Sequence, residues 1–582
     1  MQAESNRSEV RLSGTAASPG VARGPAYVLF KGMSVVPCYE VQDAEAEIRR
    51  LEAAISATRA EITLLRDDVA RRLNAAEAAI FDAHLLVLED VALIDDIQAR
   101  VRSTRLNIEH CFKEGAQHYI EIFENMKDGF LRERAADIRD VTGRVLDRLI
   151  GAQPSRPAPA RGGRVLVARE LTPSDTAGTE DDGMAAFVTE EGGRTSHSAI
   201  MARALGIPSV VGVVGLMAAV GDDDAILVDG EDGLVIVNPS AETLEHYRAR
   251  ELVIRTRRDR IMAEVGLDDV TADGDPFVLQ ANIGGPEDMD DVASFKARGV
   301  GLYRTENLCL RLDRWPTEEE QHAEYAEVVR RSAGAPVTFR TLDLGGDKRL
   351  GALEPEDNPF MGFRAVRLCL AHPEIFRPQL RAIIRAAALG PVSIMFPMIS
   401  GVEEMRAAKA AYREAEAGLA AEGVRPASPV RLGAMIEIPS AVAVADRLAR
   451  ECDFFSVGTN DLVQYLLAVD RGNQKVASLY DPCHPAVVGS LRAVFTAAAA
   501  AGIHAAVCGE LAGDPEWAPL LLSLGASQLS MSSSALPEVR FLLRHCQKSE
   551  LDALGERVTA SPDASETRRI LREFAATKMR QR

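Results

Sequence analysis

Three arginines lie where apolar runs in the second half of the chain end. Arg304 ends "GVGLYRT" and Arg364 lies in "NPFMGFRAVR". Arg340 lies in "FRTLDLGGDK", and Gly345 and Gly346 follow it. A guanidinium group binds phosphate or carboxylate through parallel hydrogen bonds, and glycine lets backbone N–H groups approach a ligand closely. A surface ion pair is the alternative for each arginine alone, but three in such positions favour a site for an anion.

Two carboxylates occupy similar positions further along the chain. Glu437 interrupts the apolar run "GAMIEIPSA", and Asp461 follows the next run in "SVGTNDLVQY", beside Asn460. A buried carboxylate needs a cation or a strong hydrogen-bond donor. Two oxygen ligands facing a bound phosphate match Mg²⁺, which shares substrate oxygens and keeps some of its waters. A network of carboxylate–arginine ion pairs is the alternative, and Arg471 in "AVDRGN" adds another positive group.

Cys508, in "VCGELAG", is the cysteine that follows one of these apolar runs. A free cysteine is most often a small buried hydrophobic residue. A thiol near cations can instead exchange a proton with a carbon atom of a substrate. Both interpretations stay open for Cys508.

His197 lies in "GGRTSHSAIMARALGIPSVVG", among the hydroxyl residues Thr195, Ser196 and Ser198 and just before a helical pattern. The N-terminus of a helix offers free N–H groups and a positive dipole end, which stabilise a phosphate there and disfavour the imidazolium ion. The pattern is therefore typical of a neutral, nucleophilic histidine that accepts a phosphoryl group. A helix cap or a core imidazole is the alternative.

A repeated alternation of strands and helices positions the residues beyond 268. Eight apolar runs predict strands, with helical patterns between them: "FVLQANI", "GVGLYRT", "VTFRTLD", "VSIMFPM", "LGAMIEI", "FFSVGTN", "HAAVCGE" and "SQLSMS". Eight such units predict a TIM (β/α)8 barrel over 268–582, and a doubly wound sheet is the alternative. In a barrel the candidate residues all lie at the catalytic ends of the strands.

The first half of the chain predicts a different organisation. Short strands and turns over 1–243 indicate an α/β domain that contains His197, and the stretch "TAASPGVARG" is interpreted as turns before its first strand. Long helical patterns over about 41–151 predict a four-helix insertion after that strand. The helical apolar stripe consists of Ile48, Leu51, Ile55, Ile62, Leu65 and Val69. The charged stretch 244–265 is predicted to be a connecting helix and hinge.

Composition limits the classes of function. The chain has 582 residues and a formal net charge of −19, which argues against a nucleic-acid-binding protein. No apolar run is long enough to span a membrane, and the polar N-terminus is not typical of a signal peptide. Eight cysteines, none in a CxxC pair, indicate a reducing compartment. We therefore expect a cytoplasmic protein.

The ordered motifs resemble the family of phosphoenolpyruvate–protein phosphotransferases, Enzyme I of the bacterial sugar phosphotransferase system. The resemblance covers nearly the whole chain and includes "LSGTAASPGVARGPA", "AAIFDAHLLVLED", "LTPSDTA", "GGRTSHSAIMARALGIPSVVG", "GLYRTE", "RTLDLGGDK", "NPFMGFRAVR", "FFSVGTNDLVQYLLAVDRGN" and "CGELAGDP". Chance does not plausibly place so many specific motifs in this order. The absence of a sensor domain before Leu12 favours the sugar-type members over the nitrogen-related ones.

The resemblance implies roles for individual residues. It implies that His197 carries the phosphoryl group and that Glu437 and Asp461 hold Mg²⁺. It implies that the substrate phosphoenolpyruvate is contacted by Arg304, Arg340, Asn460, Arg471 and Cys508. It further implies that the helical insertion, including the stretch around His84, docks the carrier protein HPr, and that the barrel domain forms a homodimer.

Combined with the residue chemistry, the resemblance predicts two phosphoryl transfers: from phosphoenolpyruvate to His197, and from His197 to a histidine of HPr, with Cys508 protonating the enolate to give pyruvate. One rival is a pyruvate–phosphoenolpyruvate dikinase or synthase, for which we find no ATP-binding domain. Another is a sensor that binds phosphoenolpyruvate without turnover. The sequence departs from the family at Asn307 and Cys309, which puts the packing beneath Arg304 in doubt, and its segment between "GGDK" and "NPFMG" is slightly short.

Overall fold

The computed structural model describes residues 9–29, 36–72, 81, 84–124, 129–151, 163–171, 183–193, 199, 201–203, 206–346, 350, 356, 358–471, 473 and 476–580. The chain divides into two compact units, Met1–Thr256 and Arg257–Arg582. The division falls within the helix Ala241–Ala263. Each unit is described by itself below.

The first unit contains one mixed sheet. Its strands are β1 (Val10–Ser13), β2 (Thr15–Ser18), β3 (Val21–Leu29), β4 (Val165–Ala168), β5 (Ala186–Thr189), β6 (Ser209–Val211), β7 (Ala225–Asp229) and β8 (Leu234–Val237). Among the described residues the strand order is β1-β8-β7-β3-β4-β5-β6-β2. Strands β3 to β6 run parallel to one another, and the other pairings are antiparallel.

Strands β1 and β2 are a correction to the sequence prediction, which interprets "TAASPGVARG" as turns before the first strand. Both are short, and they lie at the two ends of the strand order, where each pairs with one neighbour. Edge strands of this kind are held by backbone pairing and need little apolar patterning. The helical insertion therefore follows the third strand of the domain.

The helical insertion lies between β3 and β4, which pair directly in parallel. Its described helices are Ala44–Arg72, Val91–Thr104, Ile108–Glu124 and Gly129–Ile150. Ile48, Leu51 and Ile62 of the predicted stripe are buried in its core. Near the start of the first helix, Arg50 donates a hydrogen bond of 3.2 Å to the carbonyl oxygen of Leu149, near the end of the last. The two ends of the insertion therefore lie side by side.

The second unit is built on a closed parallel barrel, which confirms the TIM-barrel prediction and excludes a doubly wound sheet. In the described chain its strands are β9 (Val278–Ile283), β10 (Val300–Arg304), β11 (Val337–Arg340), β12 (Val392–Phe396), β13 (Arg431–Ile436), β14 (Phe454–Val457), β15 (His504–Val507) and β16 (Gln528–Met531). Consecutive strands pair in parallel, and β16 closes the barrel on β9. All eight predicted strands of the barrel are thus found.

Helices surround the barrel and pack on its outer surface. They are Met289–Ser294, Glu306–Leu312, Glu318–Arg331, Val366–Ala371, Pro373–Ala386, Val402–Ala421, Pro439–Ala443, Ala445–Leu448, Thr459–Leu467, Pro485–Ala501, Ala518–Ser523, Leu536–Arg544, Lys548–Thr559 and Ala564–Arg580. The short helix Leu216–Ala219 belongs to the first unit. No helix within the described ranges is long and apolar enough to cross a membrane.

A small apolar cluster fills the inside of the barrel. It consists of Leu302, Met395, Met435, Phe454 and Cys508. Gly433 makes room for one of its rings, because a Cβ atom on Gly433 would lie 2.5 Å from the nearest atom of Phe454. Such filling is typical of TIM barrels, whose interior is a packed core and whose ligands bind at the carboxyl ends of the strands.

Candidate active site at the mouth of the barrel

The candidate residues of the barrel lie at the carboxyl ends of its strands. Arg304 and Arg340 are the last residues of β10 and β11, and Glu437 and Cys508 directly follow β13 and β15. Asp461 lies in the first turn of Thr459–Leu467, the helix after β14. The parallel order of the strands brings these side chains to one end of the barrel.

A set of buried ion pairs, here called the buried cluster, consists of Glu306, Arg340, Asp343 and Arg364. Arg340 is paired with Glu306, and its Nη1 lies 3.1 Å from Oδ2 of Asp343. Nη2 of Arg364 lies 2.8 Å from Oδ1 of the same aspartate. Each of the four side chains is at most 8% exposed. Arg340 and Arg364 therefore form buried ion pairs with carboxylates, whereas the alternative considered for each arginine was an ion pair at the surface.

Gly345 and Gly346 support Arg364. Gly345 has a φ of +109°, and a Cβ atom there would lie 2.4 Å from Cβ of Arg364. Gly346 has a φ of +68° and lies against the Phe360 ring and the Arg364 guanidinium group. Glycine adopts these φ values without strain, so the pair lets the loop pack tightly around the arginine.

Glu437 and Asp461 lie beside the buried cluster. Oε1 of Glu437 accepts a hydrogen bond of 2.6 Å from the Met398 N–H group. Burial, followed by the nearby carboxylates of Asp461 and Asp343, raises the pKa of Glu437 well above its usual range. The two oxygens of Asp461 lie 3.5 Å from Arg364 and 3.7 Å from Arg471, both longer than a hydrogen bond.

The charge balance at this site fits a divalent cation. Among the described residues, the buried ionisable groups here are four carboxylates (Glu306, Asp343, Glu437, Asp461) and two guanidinium groups (Arg340, Arg364). If all are ionised, two negative charges are in excess, which a divalent cation held by Glu437 and Asp461 would balance. The described chain contains no group of three His, Cys, Asp or Glu side chains arranged for a metal, so a cation held here would also need ligands from substrate or water.

A second set of residues at this end of the barrel is more exposed than the buried cluster. This set, here called the rim group, consists of Arg304, Asn460 and Arg471. Within the described chain, the Arg304 side chain makes no hydrogen bond or ion pair, although its charge lowers the pKa of Cys508. The Arg471 side chain is 36% exposed. The Asn460 amide exchanges two hydrogen bonds with Glu510, at 2.9 and 3.0 Å. Arg304 thus carries a positive charge that no described carboxylate neutralises.

Cys508 is buried beneath the rim group. Its N–H group donates to the Val457 carbonyl oxygen at 3.1 Å, and its thiol lies 3.6 Å from the same oxygen. Burial raises the pKa of Cys508 to about 11, while Ser456, Arg340 and Arg304 act in the opposite direction. The thiol is therefore protonated at neutral pH, as a proton donor must be.

Sequence reasoning missed several residues that hold the site together. Glu306 pairs with Arg340, and the buried Gln379 donates to Thr305 at 3.0 Å and accepts from Leu342 N–H at 3.0 Å. Asn282 donates to the carbonyl oxygen of Cys508 at 3.0 Å. For Glu306 and Asn282, a polar residue inside or next to an apolar run was the available signal, as for Glu437.

The departures from the family pattern lie next to β10. A Cβ atom on Gly284 would lie 2.1 Å from Nδ2 of Asn307, so this asparagine packs on the end of β9. Cys309 is fully buried, and burial raises its pKa to about 12. Tyr303, which precedes Arg304, donates its hydroxyl to Glu324, and Glu324 also pairs with Arg311. These polar contacts lie beneath the strand end that carries Arg304.

The predicted phosphohistidine segment falls outside the described residues. This segment includes Thr195, Ser196, His197 and Ser198, which all lie outside the described ranges. The strands on either side of it, β5 and β6, pair in parallel within the sheet of the first unit.

His84, named with the carrier-docking stretch, is described and fully buried. Its ring packs edge-on against Phe81, with the centroids 5.7 Å apart, and its Nδ1 atom lies 3.8 Å from Asp140. His84 itself therefore does not reach the surface of the helical insertion.

Three family models match the chain in order. They describe the N-terminal domain of PEP-utilising enzymes over residues 13–134, the mobile domain over 160–233, and the PEP-binding domain over 259–548. The last of these covers the whole candidate site at the barrel mouth.

Full-length relatives carry one name. The chain is 43% identical to the phosphoenolpyruvate-protein phosphotransferase of Staphylococcus carnosus, over 97% of this chain and 99% of the relative. It is 44% identical to the protein of that name from Geobacillus stearothermophilus, over 96% and 97%. A solution structure of an Enzyme I protein aligns with 42% of this chain and 99% of its own, at 32% identity and a TM-score of 0.36. The chain therefore belongs to the phosphoenolpyruvate-protein phosphotransferase family of PEP-utilising enzymes.

Proposed function

We propose that this enzyme transfers the phosphoryl group of phosphoenolpyruvate to His197, and from His197 to a histidine of an HPr-type carrier, as the first step of a sugar phosphotransferase system. The observation that carries the proposal is the convergence of Arg304, Arg340, Glu437 and Cys508 at one end of the barrel. Anion-binding, metal-binding and proton-donating groups there match the three chemical needs of this substrate.

The arginines bind the anionic substrate. Arg304 carries a positive charge unpaired within the described chain, and Arg471 is only weakly paired with Asp461 at 3.7 Å. The phosphate and carboxylate groups of phosphoenolpyruvate accept hydrogen bonds from these two arginines. The Asn460 amide also donates to the substrate once its hydrogen bonds with Glu510 break. Arg340 lies deeper and adds positive potential beneath the phosphoryl group. Positioning and charge neutralisation are the main means of catalysing phosphoryl transfer.

Glu437 and Asp461 would hold Mg²⁺, which supplies neutralisation of the charge on the phosphoryl oxygens. Arg364 keeps Asp461 in place from the buried side, because its Nη2 atom lies 3.5 Å from Asp461 and 2.8 Å from Asp343.

Cys508 would protonate the carbon atom that becomes the methyl group of pyruvate. Its raised pKa keeps the proton on sulfur until a strongly basic enolate carbon is present.

The helical insertion would dock the carrier. Two leucines of this insertion are unusually exposed, Leu64 at 70% and Leu86 at 61%. Contiguous exposed apolar patches are typical of protein-binding surfaces, and Leu64 and Leu86 would each supply an apolar contact to such a surface. His84 would stabilise the insertion from inside rather than contact the carrier.

The two transfers require His197 to meet two different partners. Each in-line transfer needs the donor about 3–3.5 Å from the ring nitrogen, so we infer a rigid-body swing of the domain 1–243 about the connecting segment 244–265. Residues 268–582 would bind phosphoenolpyruvate and form the homodimer. In the helix Ala241–Ala263, Leu252 and Val253 are 66% and 67% exposed, so these two side chains do not oppose such a swing.

Radiolabelled phosphoenolpyruvate tests the central step. With Mg²⁺ and without ATP, we expect acid-labile label on the protein, and none on His197→Ala, which should still bind the substrate. A dikinase or synthase would need adenine nucleotide, and a sensor would acquire no label. Label on His197→Ala at the parent stoichiometry would contradict the proposal.

A pair of fragments tests the division of labour. A fragment ending near Arg250 should exchange phosphate with phospho-HPr and ignore phosphoenolpyruvate, and one starting near Asp268 should dimerise and bind phosphoenolpyruvate without an acceptor. His197→Ala in the first fragment is the control. Failure of a folded first fragment to accept phosphate from the carrier would rule out the proposed swing.

A further inference from the structure

Asn282 joins three strands at the barrel mouth. Its side chain donates from Nδ2 to the carbonyl oxygen of Cys508 at 3.0 Å, and its Oδ1 accepts the Ser530 hydroxyl at 2.6 Å. Because a carbonyl oxygen can only accept, the amide must present its N–H group to Cys508, which leaves Oδ1 to accept the Ser530 hydroxyl. The contact therefore links β9, β16 and the end of β15.

The carbonyl of Cys508 lies just past the regular pairing of its strand. The pairing of β15 with β16 ends at Val507 and Leu529. On the other side, the Cys508 N–H group donates to the Val457 carbonyl oxygen of β14 at 3.1 Å. The Cys508 backbone is thus held on one side by β14 and on the other by the Asn282 amide.

The barrel leaves space for this arrangement at Gly301. A Cβ atom on Gly301 would lie 2.4 Å from Oγ of Ser530 and 2.8 Å from Oε1 of Gln280. A larger residue would displace the serine hydroxyl, so Gly301 keeps Ser530 in place to orient Asn282.

We propose that Asn282 is a positioning residue for Cys508, and that Ser530 orients its amide, so that the thiol delivers its proton to one face of the enolate. This inference rests on the proposed function. In the step concerned, the S–H bond breaks and leaves its electron pair on sulfur as a thiolate. The electron pair of the enolate C=C bond forms the new C–H bond, a lone pair of the enolate oxygen forms the C=O bond of pyruvate, and water later returns a proton to sulfur.

Loss of the Asn282 amide would free the Cys508 carbonyl and let the peptide that carries the thiol rotate. Phosphoryl transfer depends on the rim group, Glu437 and Asp461, none of which forms a hydrogen bond with the Asn282 side chain in the described chain. The expected defect is therefore selective, because the enolate still forms but water protonates it from either face.

The test uses the full chain in single turnover with Mg²⁺, (Z)-[3-²H]phosphoenolpyruvate and tritiated water. Pyruvate is reduced to lactate as it forms, and the configuration of the chiral methyl group is determined. We expect one configuration from the parent and nearly equal amounts of both from Asn282→Ala, with the rate of protein phosphorylation within about threefold of the parent. Ser530→Ala should lose part of the preference for one methyl configuration. It replaces Asn282→Ala as the test variant if Asn282→Ala does not fold.

Gln321 provides a matched control on the outside of the barrel. Its amide donates to the Pro316 carbonyl oxygen and accepts the Tyr325 hydroxyl, both at 3.1 Å, which repeats the hydrogen-bonding pattern of Asn282. Gln321→Ala should keep the parent configuration. Full selectivity in both Asn282→Ala and Ser530→Ala, or equal loss in Gln321→Ala, would overturn the inference.

Cys508→Ala separates this inference from the proposed function. If Cys508→Ala randomises the methyl group and Asn282→Ala does not, only the positioning role fails. If Cys508→Ala keeps the parent configuration, the thiol is not the proton donor, and both statements fail together.

Discussion

The buried cluster and the rim group both place arginines at the same end of the barrel. They differ in whether carboxylates neutralise the charge of the guanidinium group. Arg340 and Arg364 are buried and bonded to carboxylates, at 3.1 Å and 2.8 Å from Asp343. Arg304 is exposed and makes no ion pair with any described residue. The charge of a buried arginine is largely committed to holding its neighbours, whereas the charge of a rim arginine is available to a ligand. We therefore expect stability to depend on the buried cluster and substrate affinity on the rim group.

The largest effect is expected for Arg340→Ala. This change leaves the carboxylates of Glu306 and Asp343 buried without that partner, which costs about 3–5 kcal/mol of unfolding free energy. Denaturant unfolding and autophosphorylation should both show the defect, and Arg304→Ala is the control. A loss of stability below about 1 kcal/mol would show that the buried cluster is not what holds this end of the barrel.

Glu437→Gln should separate catalysis from stability within the buried region. The amide oxygen can still accept from Met398 N–H, while repulsion by the carboxylates of Asp461 and Asp343 disappears. We expect equal or higher unfolding free energy and a fall of about 10²–10³-fold in Mg²⁺-dependent phosphorylation, the scale of losing one main electrostatic stabiliser. Asp461→Asn should behave similarly in phosphorylation. Parent rates throughout a Mg²⁺ titration would contradict the metal role.

The rate at which the Cys508 thiol is alkylated should depend on pH as expected for a buried thiol. Because burial raises its pKa from 9.0 to about 11, the thiolate fraction at pH 8 is about a hundredfold lower than for an unshifted thiol. Alkylation by iodoacetamide should rise about tenfold per pH unit between pH 7 and 10. Peptide mass spectrometry measures it, with the exposed Cys38 as internal standard. A rate that levels off near pH 8 would contradict the raised pKa.

The smallest effects on the fold are expected in the rim group. Arg304→Ala should raise KM for phosphoenolpyruvate by about ten- to a hundredfold, the range for a hydrogen bond to a charged group, with unfolding free energy within about 0.5 kcal/mol of the parent. Arg471→Ala should raise KM less, because its charge is partly offset by Asp461. Steady-state kinetics and denaturant unfolding give both quantities. Destabilisation of Arg304→Ala as large as that of Arg340→Ala would remove the distinction between the two regions.

The barrel was predictable because its strands are apolar runs separated by helices, and the chemistry was predictable because polar residues interrupt or end those runs. Glu437 was identified in this way. Asn282 carries the same signal in "FVLQANI", where Gln280 and Asn282 alternate with apolar residues, yet sequence reasoning passed over it. Its role depends on Cys508 and Ser530, which only the closed barrel brings near.

Other features leave no local trace in the sequence. Gln379 comes from the helix Pro373–Ala386 to join Thr305 and Leu342, and nothing near position 379 predicts these partners. Strands β1 and β2 were missed because edge strands held by backbone pairing need no strong apolar alternation. Packing of distant elements therefore determined what the sequence alone could not reveal.

The hydrogen bond between Arg50 and Leu149 has a consequence for the order of folding. Strands β3 and β4 pair at Ala26 and Val165 although the whole helical insertion separates them. Direct pairing of such distant segments is slow, because the entropy of closing the loop must be lost before any contact forms. A folded insertion whose ends already lie side by side acts as a short connection. We therefore expect the helices to form first and the sheet to assemble around them.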